Sequence, residues 1–439
     1  MAAGPDEARN RLVDELRASG RLTSLPVEAA FRAVPRHVFL PELDPVSQAY
    51  QDEAFVIKTG GDGLPVSSSS QPAIMAIMLE QLGVAAGQRV LEIGTGTGYN
   101  AALMARLVGP EGLVVTVDID PDLADRARSS LVAAGYPDVV VICGDGGFGA
   151  REFAPYDRII VTASASDLPP EWFAQLGPGG RIALPLSLRG MQLCIALERS
   201  GGLFWRSRAV CRCGFIRMAG SYAAVTEPYL PLGPQPGLHV QADWLDPKAT
   251  DPDVLWSALN GPVTDVLTGV RVAGLGELGE TDLWVTITEP GLARLTITGG
   301  GPLRGSVLPL LPFGALATTP GAAEGLGLAG LLPAAPAAPS AEEHRLGEFE
   351  IAVRGFGPLG ALLAERLAGR VAAWQSSGRP HSADLVVTAQ PRPAGATAEA
   401  HPVALPASEV PAVPDRPGHA VIDRPHTRLI LTWPQPPAP

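Results

Sequence analysis

The chain has 439 residues, a net charge of −12 at pH 7, 46% hydrophobic residues, 50 glycines and 44 prolines. That length gives a prior of about three domains, and the apolar fraction excludes global disorder. Both halves are acidic and no basic stripe is present, which excludes sequence-nonspecific nucleic-acid binding.

Residues 6–19 carry Leu12, Val13 and Leu16 at helical spacing and stop at Gly20. A second short helix is predicted over 26–33. Residues 50–70 read as turn-rich and end in four serines. The apolar segment 72–83 is a helix with Pro72 at its start and Gly83 at its end. From residue 88 the texture changes. Strands are predicted at 89–94, 113–119, 139–145, 157–164 and 181–186, with helices at 99–107, 122–134 and 169–176. This alternation is that of βαβ units and a parallel sheet covered on both faces. Residues 191–199 and 209–216 are placed to close the sheet.

After about residue 222 the alternation stops. Of the 44 prolines, 15 fall in residues 1–220 and 29 in the rest, which fits a second half with long loops. Residues 225–262 read as loop-rich. Residues 283–287 and 292–297 flank a Glu-Pro-Gly turn and read as a hairpin. Residues 312–340 are rich in Gly, Ala and Pro and read as a linker or long loop. Strands at 348–355, 384–389 and 426–433, with a helix over 358–376, suggest a small α+β unit. The expected division is a catalytic domain, 1–221, and a C-terminal α+β domain, 222–439.

Cys143, Cys194, Cys211 and Cys213 are too few for a disulfide framework and read as reduced thiols. Cys211 and Cys213 form a CxC pair that lacks the usual zinc spacing, and no metal site is expected. The opening MAAGPDEARN lacks the features of a signal peptide. No uninterrupted apolar run of about 18 residues is found, so no membrane span is expected. The chain therefore reads as cytoplasmic.

The most informative stretch is LEIGTGTGYNAALMA, residues 91–105. Gly94, Gly96 and Gly98 follow a strand and open a helix, where glycines allow a tight turn and a close approach of backbone N–H groups to a ligand. The spacing is GxGxG, not the GxGxxG of dinucleotide folds. Glu92 beside the loop would repel pyrophosphate but suits the sulfonium and amino group of S-adenosylmethionine. Asp118, ending the second strand of the βαβ series, can accept both ribose hydroxyls. Asp145 and Gly146, after the third, can reach the adenine edge.

These residues resemble the protein L-isoaspartyl (D-aspartyl) O-methyltransferases. VPRHVFLP (34–41) and AYQDEAF (49–55) look like that family's N-terminal signature, and SSQPAIMA (69–76) like its active-site segment. LEIGTGTGYNAA, GDGGFG (144–149), APYDRIIVTAS (154–164) and QLGPGGRIALPL (175–186) follow in the family's order. The resemblance covers about residues 6–218. It implies a class I, Rossmann-like α/β methyltransferase fold that uses S-adenosylmethionine. Gly94, Gly96, Gly98, Asp118 and Asp145 fall on the family's cofactor positions, and Gln71, Glu92, Ile119 and Gly146 are expected to bind the cofactor beside them. Ser70 falls on the position that contacts the substrate carboxyl group, and Ser68 is expected to assist it. Where the family usually has Thr-Ile-Ser, this chain has Ser68-Ser69-Ser70. The long C-terminal half is a second departure. Similar long forms occur in actinobacterial clusters that tailor lanthipeptides and graspetides. The implied substrate is then a modified precursor peptide, whose methylated Asp closes to an aspartimide; the alternative is repair of isoaspartyl residues in damaged proteins. The C-terminal half is expected to recognise the substrate, through grooves lined by some of Trp244, Trp256, Trp284, Trp374 and Trp433.

Carboxyl methylation needs no general base, because an aspartyl carboxylate, with a reference pKa of about 3.9, is ionised at neutral pH. The sequence agrees, since His37 is the sole histidine in residues 1–220. It is expected to be a surface or packing residue.

Overall fold

The computed structural model describes residues 4–61, 63, 65–201, 204–223, 229–234, 238–241, 251–289, 292–297, 315–318, 328–334, 348–392 and 418–434. They form two compact units. The first gathers residues 1–187, 192–224 and 388–394, and the second 188–191, 225–387 and 395–439.

The first unit opens with helices α1 (Pro5–Ala18) and α2 (Leu25–Ala33). Leu12, Val13 and Leu16 are buried, and Gly20 turns the chain at φ 69°. Next comes an antiparallel hairpin, β1 (Phe55–Thr59) with β2 (Pro65–Ser69). This corrects the turn-rich reading of 50–70. Three of the four serines, Ser67 to Ser69, are strand residues, and their polarity hid the pairing. Helix α3 (Pro72–Leu82) follows and ends at Gly83 in the left-handed region.

The sheet then builds in chain order: β3 (Arg89–Ile93), α4 (Tyr99–Val108), β4 (Leu113–Asp118), α5 (Pro121–Ala133), β5 (Val140–Cys143), β6 (Tyr156–Val161), α6 (Pro170–Gln175), β7 (Leu176–Leu188), β8 (Met191–Arg199) and β9 (Trp205–Arg212). The strand order is β5-β4-β3-β6-β7-β8-β9. Strands β5 to β7 are parallel, and β8 pairs with β9 antiparallel. This is the class I methyltransferase arrangement. The order reverses direction at β3, which has β4 on one side and β6 on the other. Loops after the strands part there and leave a crevice. Val90 and Leu91 of β3 are fully buried, as the short apolar run requires of a central strand. Past β9, Thr388 and Ala389 pair with Arg206 and Trp205, so the first unit draws on chain from beyond residue 380.

The second unit is α+β. One antiparallel sheet runs β10 (Tyr229–Pro231), β11 (Leu238–Gln241), β13 (Leu292–Ile297), β14 (Ala315–Thr318). Another runs β12 (Val263–Ala273), β16 (Glu348–Phe356), β15 (Leu328–Ala334). Helices α7 (Pro252–Leu259), α8 (Gly274–Thr288) and α9 (Gly360–Ser376) and a hairpin of β18 (His419–Asp423) and β19 (Thr427–Thr432) complete the described part; strand β17 (Val386–Pro391) is divided, its residues from 388 onward belonging to the first unit.

Three expectations are corrected here. The loop-rich stretch 225–262 contains β10, β11 and α7, and the stretch 312–340 contains β14 and β15. Residues 283–287 belong to helix α8, not to a strand. Their β-branched content suggested a strand, yet Leu283, Trp284, Val285 and Ile287 are all buried. A run apolar on every face has no period by which to tell helix from strand. Thr281, Thr286 and Thr288 donate their hydroxyls to the carbonyls of Glu277, Asp282 and Trp284, which satisfies these buried hydroxyls inside the helix.

The tryptophans of this unit are packing residues. Trp284, Trp374 and Trp433 are buried, and the Trp284 and Trp433 rings lie 5.1 Å apart. Trp256 is half-buried, and Trp244 lies outside the described residues. Among the described residues no helix is long and apolar enough to cross a membrane.

Candidate active site

The glycine loop sits at the crevice beside β3. Gly94 has φ 98°, and a Cβ there would lie 2.6 Å from Thr162 Oγ1. That hydroxyl donates to the Gly94 carbonyl at 2.6 Å, which locks the turn. Gly96 N donates to Asp118 Oδ2 at 2.9 Å, and Asp120 N to Asp118 Oδ1 at 3.1 Å. Gly98, at φ 88°, does not line the cleft. A Cβ there would press on Ala127 and Leu131 of α5 at 3.3 Å, so its part is helix packing.

Ser68, Ser70, Glu92, Gly94, Gly96, Asp118, Ile119 and Gly146, all expected from the sequence, line one cleft. Gly146 approaches β3 so closely that a Cβ would meet Ile93 Cγ2 at 2.4 Å. Glu92 is fully buried. Its Oε1 accepts from Asn100 Nδ2 at 2.7 Å and its Oε2 from Thr116 Oγ1 at 2.6 Å. Burial pushes its carboxyl up to about 7, against those two hydrogen bonds. Burial also raises Asp118, which the Gly96 and Asp120 N–H groups partly offset.

Besides Gly98, two further expected residues lie elsewhere. Asp145 is not among the cleft's walls. Its oxygens accept from Gly147 N at 2.9 Å and Ser221 N at 2.6 Å. Burial acts to raise its carboxyl, but those N–H groups outweigh it and hold the group below the usual range. Asp145 thus fastens the 220–222 segment beside the loop. Gln71 faces a neighbouring cavity, and its amide donates to Asp52 O and Oδ2, both at 3.0 Å.

The serines alternate as strand residues do. Ser67 and Ser69 are buried, while Ser68 and Ser70 are half-exposed. Neither Ser68 nor Ser70 caps α3. Asp52 Oδ1 accepts from Ala73 N at 2.8 Å and does that work from a distance. The two hydroxyls are therefore available at the wall shared by the cleft and the neighbouring cavity.

One residue carries more of the site than the sequence suggested. Arg36 is fully buried. Its Nη1 donates to the carbonyls of Ala49 at 2.9 Å and Gln51 at 3.1 Å, and its Nη2 to those of Glu53 at 3.1 Å and Ser70 at 3.0 Å. Ser69 Oγ is a weaker acceptor at 3.4 Å. The rings of Phe55 and Tyr99 lie 5.4 and 5.8 Å from its guanidinium. Burial lowers its pKa to about 10. The signal in VPRHVFLP was an arginine set among apolar residues. Its partners, mostly backbone carbonyls, leave no trace in composition. His37, by contrast, packs on Tyr50, with Nδ1 2.7 Å from the hydroxyl.

The residues present fit S-adenosylmethionine. The turn at Gly94 leaves no room for a side chain, two carboxyls line the cleft, and Asn100 Oδ1, also at the cleft, is buried without a partner. Asp118 and Ile119 would hold the ribose side, Gly146 the adenine side, and Gly94, Gly96, Asn100 and Glu92 the cationic end.

The family model for protein-L-isoaspartate(D-aspartate) O-methyltransferase matches residues 7–222. A protein-L-isoaspartate O-methyltransferase of Thermotoga maritima is 44% identical over 163 residues, which are 37% of this chain and 51% of the relative. The chain thus spans about half the length of that relative. One of Methanopyrus kandleri is 42% identical over 214 residues, 48% of this chain and 92% of the relative. One of Archaeoglobus fulgidus is 40% identical over 220 residues, 49% of this chain and 95% of the relative. These homologues are S-adenosylmethionine-dependent carboxyl O-methyltransferases. With a cofactor cleft of this geometry and relatives matched over more than nine tenths of their length, the chain belongs to the protein-L-isoaspartate(D-aspartate) O-methyltransferase family.

Proposed function

We propose that this enzyme methylates the free carboxylate of an L-isoaspartyl residue in a peptide or protein. The observation that carries the reading is the Ser68–Ser70 wall beside a cleft suited to a cationic cofactor, in a chain whose relatives bear that activity in their names. Bound S-adenosylmethionine supplies an electrophilic methyl group. The chain's own residues hold and dry the acceptor. Ser70, with Ser68 beside it, donates hydrogen bonds to the carboxylate and fixes its orientation. Met75, Met78, Phe215 and Ile160 line the same cleft and exclude water, which otherwise stabilises the separated charges. No side chain need take a proton, since the acceptor is already ionised.

A narrower reading has this activity acting on an Asp side chain of a ribosomally made, modified precursor peptide and leading to an aspartimide. The relatives support the repair-type reading better. Residues 222–439 lie beyond the family match, and we assign them to presenting the substrate. Their buried tryptophans lend this no aromatic groove.

The test is methyl transfer from labelled S-adenosylmethionine to three peptides: one with L-isoaspartate, its L-aspartate twin, and a macrocyclic acidic peptide. Turnover of the isoaspartyl peptide with an inert L-aspartyl twin is the expected result. Methylation of the macrocycle alone would replace it with the narrower reading.

A further inference from the structure

Three of the chain's four cysteines, none of them used by the reaction, are gathered at one place. Cys194 of β8 stands directly opposite Cys211 of β9, and Cys213 follows two residues on. Cys194 is fully buried and Cys211 partly exposed. The Gln81 side chain of α3 spans the pair. Cys194 Sγ donates to Gln81 Oε1 at 3.3 Å, and Gln81 Nε2 donates to Cys211 Sγ at 3.6 Å. The Cys211 sulfur is also within hydrogen-bonding reach of the Cys194 thiol, whose single hydrogen serves one acceptor at a time. That thiol, with the Gln81 amide, holds Cys211 below its ordinary value against the effect of burial. The same contact and burial push Cys194 up. The pair is thus a partly exposed sulfur with thiolate character beside a buried thiol.

The strands set what the two sulfurs can do. Cys213 N donates to Gln192 O at 3.1 Å. Alternation along the ladder then makes Cys194 and Cys211 a hydrogen-bonded pair, with Cα atoms about 5.5 Å apart. A disulfide accepts Cα separations of about 4.4–6.8 Å but asks its Cβ atoms to close to about 3.5–4.5 Å. The bond is within reach but strained, which makes it readily reducible. Cys211 and Cys213 are not the pair, because residues two apart along extended chain hold their Cβ atoms about 6.6 Å apart.

We propose that Cys211 and Cys194 form an oxidative modification site, which hydrogen peroxide closes to an intrachain disulfide that reversibly slows methyl transfer. The Cys211 thiolate attacks one peroxide oxygen. The O–O bond breaks, and the departing hydroxide takes up the proton that Cys211 had released. Cys211 is then a sulfenic acid. The Cys194 sulfur displaces its hydroxyl, which leaves as water with the Cys194 proton. Two thiols and one peroxide give one disulfide and two waters. The site reaches the cleft through Gln192. Its Oε1 accepts from Phe215 N at 2.6 Å, and its Nε2 donates to Phe215 O at 3.0 Å. Phe215 lines both the cofactor cleft and the neighbouring cavity. Drawing β9 onto β8 just ahead of this clamp shifts that wall, and misplacement near a reacting carboxylate costs on the order of tenfold in rate.

The experiment treats the full chain with hydrogen peroxide, alkylates the remaining thiols after denaturation, and maps them by mass spectrometry. The expected product links Cys194 to Cys211, leaves Cys213 free, and is undone by dithiothreitol. Turnover of a peptide that the untreated enzyme methylates should fall on the order of tenfold and return with dithiothreitol. In Cys211→Ala, peroxide should leave turnover at that variant's own starting value, with melting temperature as the control for folding. If the variant does not fold, the thiol map and the reversibility of the wild-type chain still decide. No link at peroxide levels that oxidise the exposed Cys143, a link that leaves turnover unchanged, or a loss of turnover that persists in Cys211→Ala would overturn the proposal. The thiol map needs no substrate, so failure of the proposed reaction and failure of this site are distinguishable.

Discussion

Glu92 has no exposed surface and titrates at about 7, because burial penalises its charge more than Asn100 and Thr116 reward it. A folded value above the ordinary 4.5 means that this group's contribution to stability is full below about pH 4.5 and is lost as pH rises through about 7. A cation beside it reverses the preference. Calorimetry should therefore show S-adenosylmethionine gaining affinity over neutral S-adenosylhomocysteine from pH 6 to pH 8. In Glu92→Gln that gain should vanish, and a gain that persists would place the titration elsewhere. Arg36 is the other residue with large consequences. Arg36→Met would leave the carbonyls of Ala49, Gln51, Glu53 and Ser70 without their donor. An orphaned buried acceptor costs about 1–3 kcal/mol and the three part-buried ones cost less, so the expected loss in urea unfolding is about 2–3 kcal/mol. Arg36→Lys should lie between, since one ammonium cannot reach acceptors spread along two segments.

Among the elements, the β1–β2 hairpin is held at both ends of the site. Ser70, just past β2, is fixed by Arg36, and Lys58 of β1 donates to Asp120 at 2.6 Å and to Asp122 at 2.9 Å. Asp120 also caps α5 by accepting from Asp122 N at 3.0 Å and Leu123 N at 3.3 Å. The Lys58 ammonium holds the Asp120 carboxyl below its usual range. Asp120→Ala removes the cap and the shorter of the two Lys58 contacts that form the latch. The cap alone is worth about 1 kcal/mol, which thermal unfolding should register. Amide exchange over 55–69 should also speed up, whereas exchange confined to the start of α5 would show the latch to be idle. This hairpin was not legible in the sequence, because a strand of serines has no apolar alternation to reveal it. Helix α8 was misread for the opposite reason, being apolar on every side.

At the scale of the whole molecule, the family match ends at residue 222, but the first unit does not. It includes residues 388–394, and Thr388 and Ala389 pair with β9. A chain cut after residue 223 would keep the cofactor cleft and lose this pairing. The freed strand edge offers unpaired N–H and C=O groups to a second copy. Light scattering should find the truncated chain self-associating at concentrations where the full chain does not. A monodisperse truncated chain would show that Thr388 and Ala389 contribute little.

The sequence by itself determined the α/β class, the glycine turn, the acids around it and the family. These depend on local features: a β-branched run, residues that tolerate positive φ, and a carboxylate at a strand end. Only the tertiary structure decided that Gly98 packs against a helix, that Asp145 fastens Ser221, and that Arg36 draws together backbone from 49 to 70. In each case the partner is distant in the chain, and most often a backbone group or a bare Cα. Such partners have no side-chain identity that a linear reading could recognise.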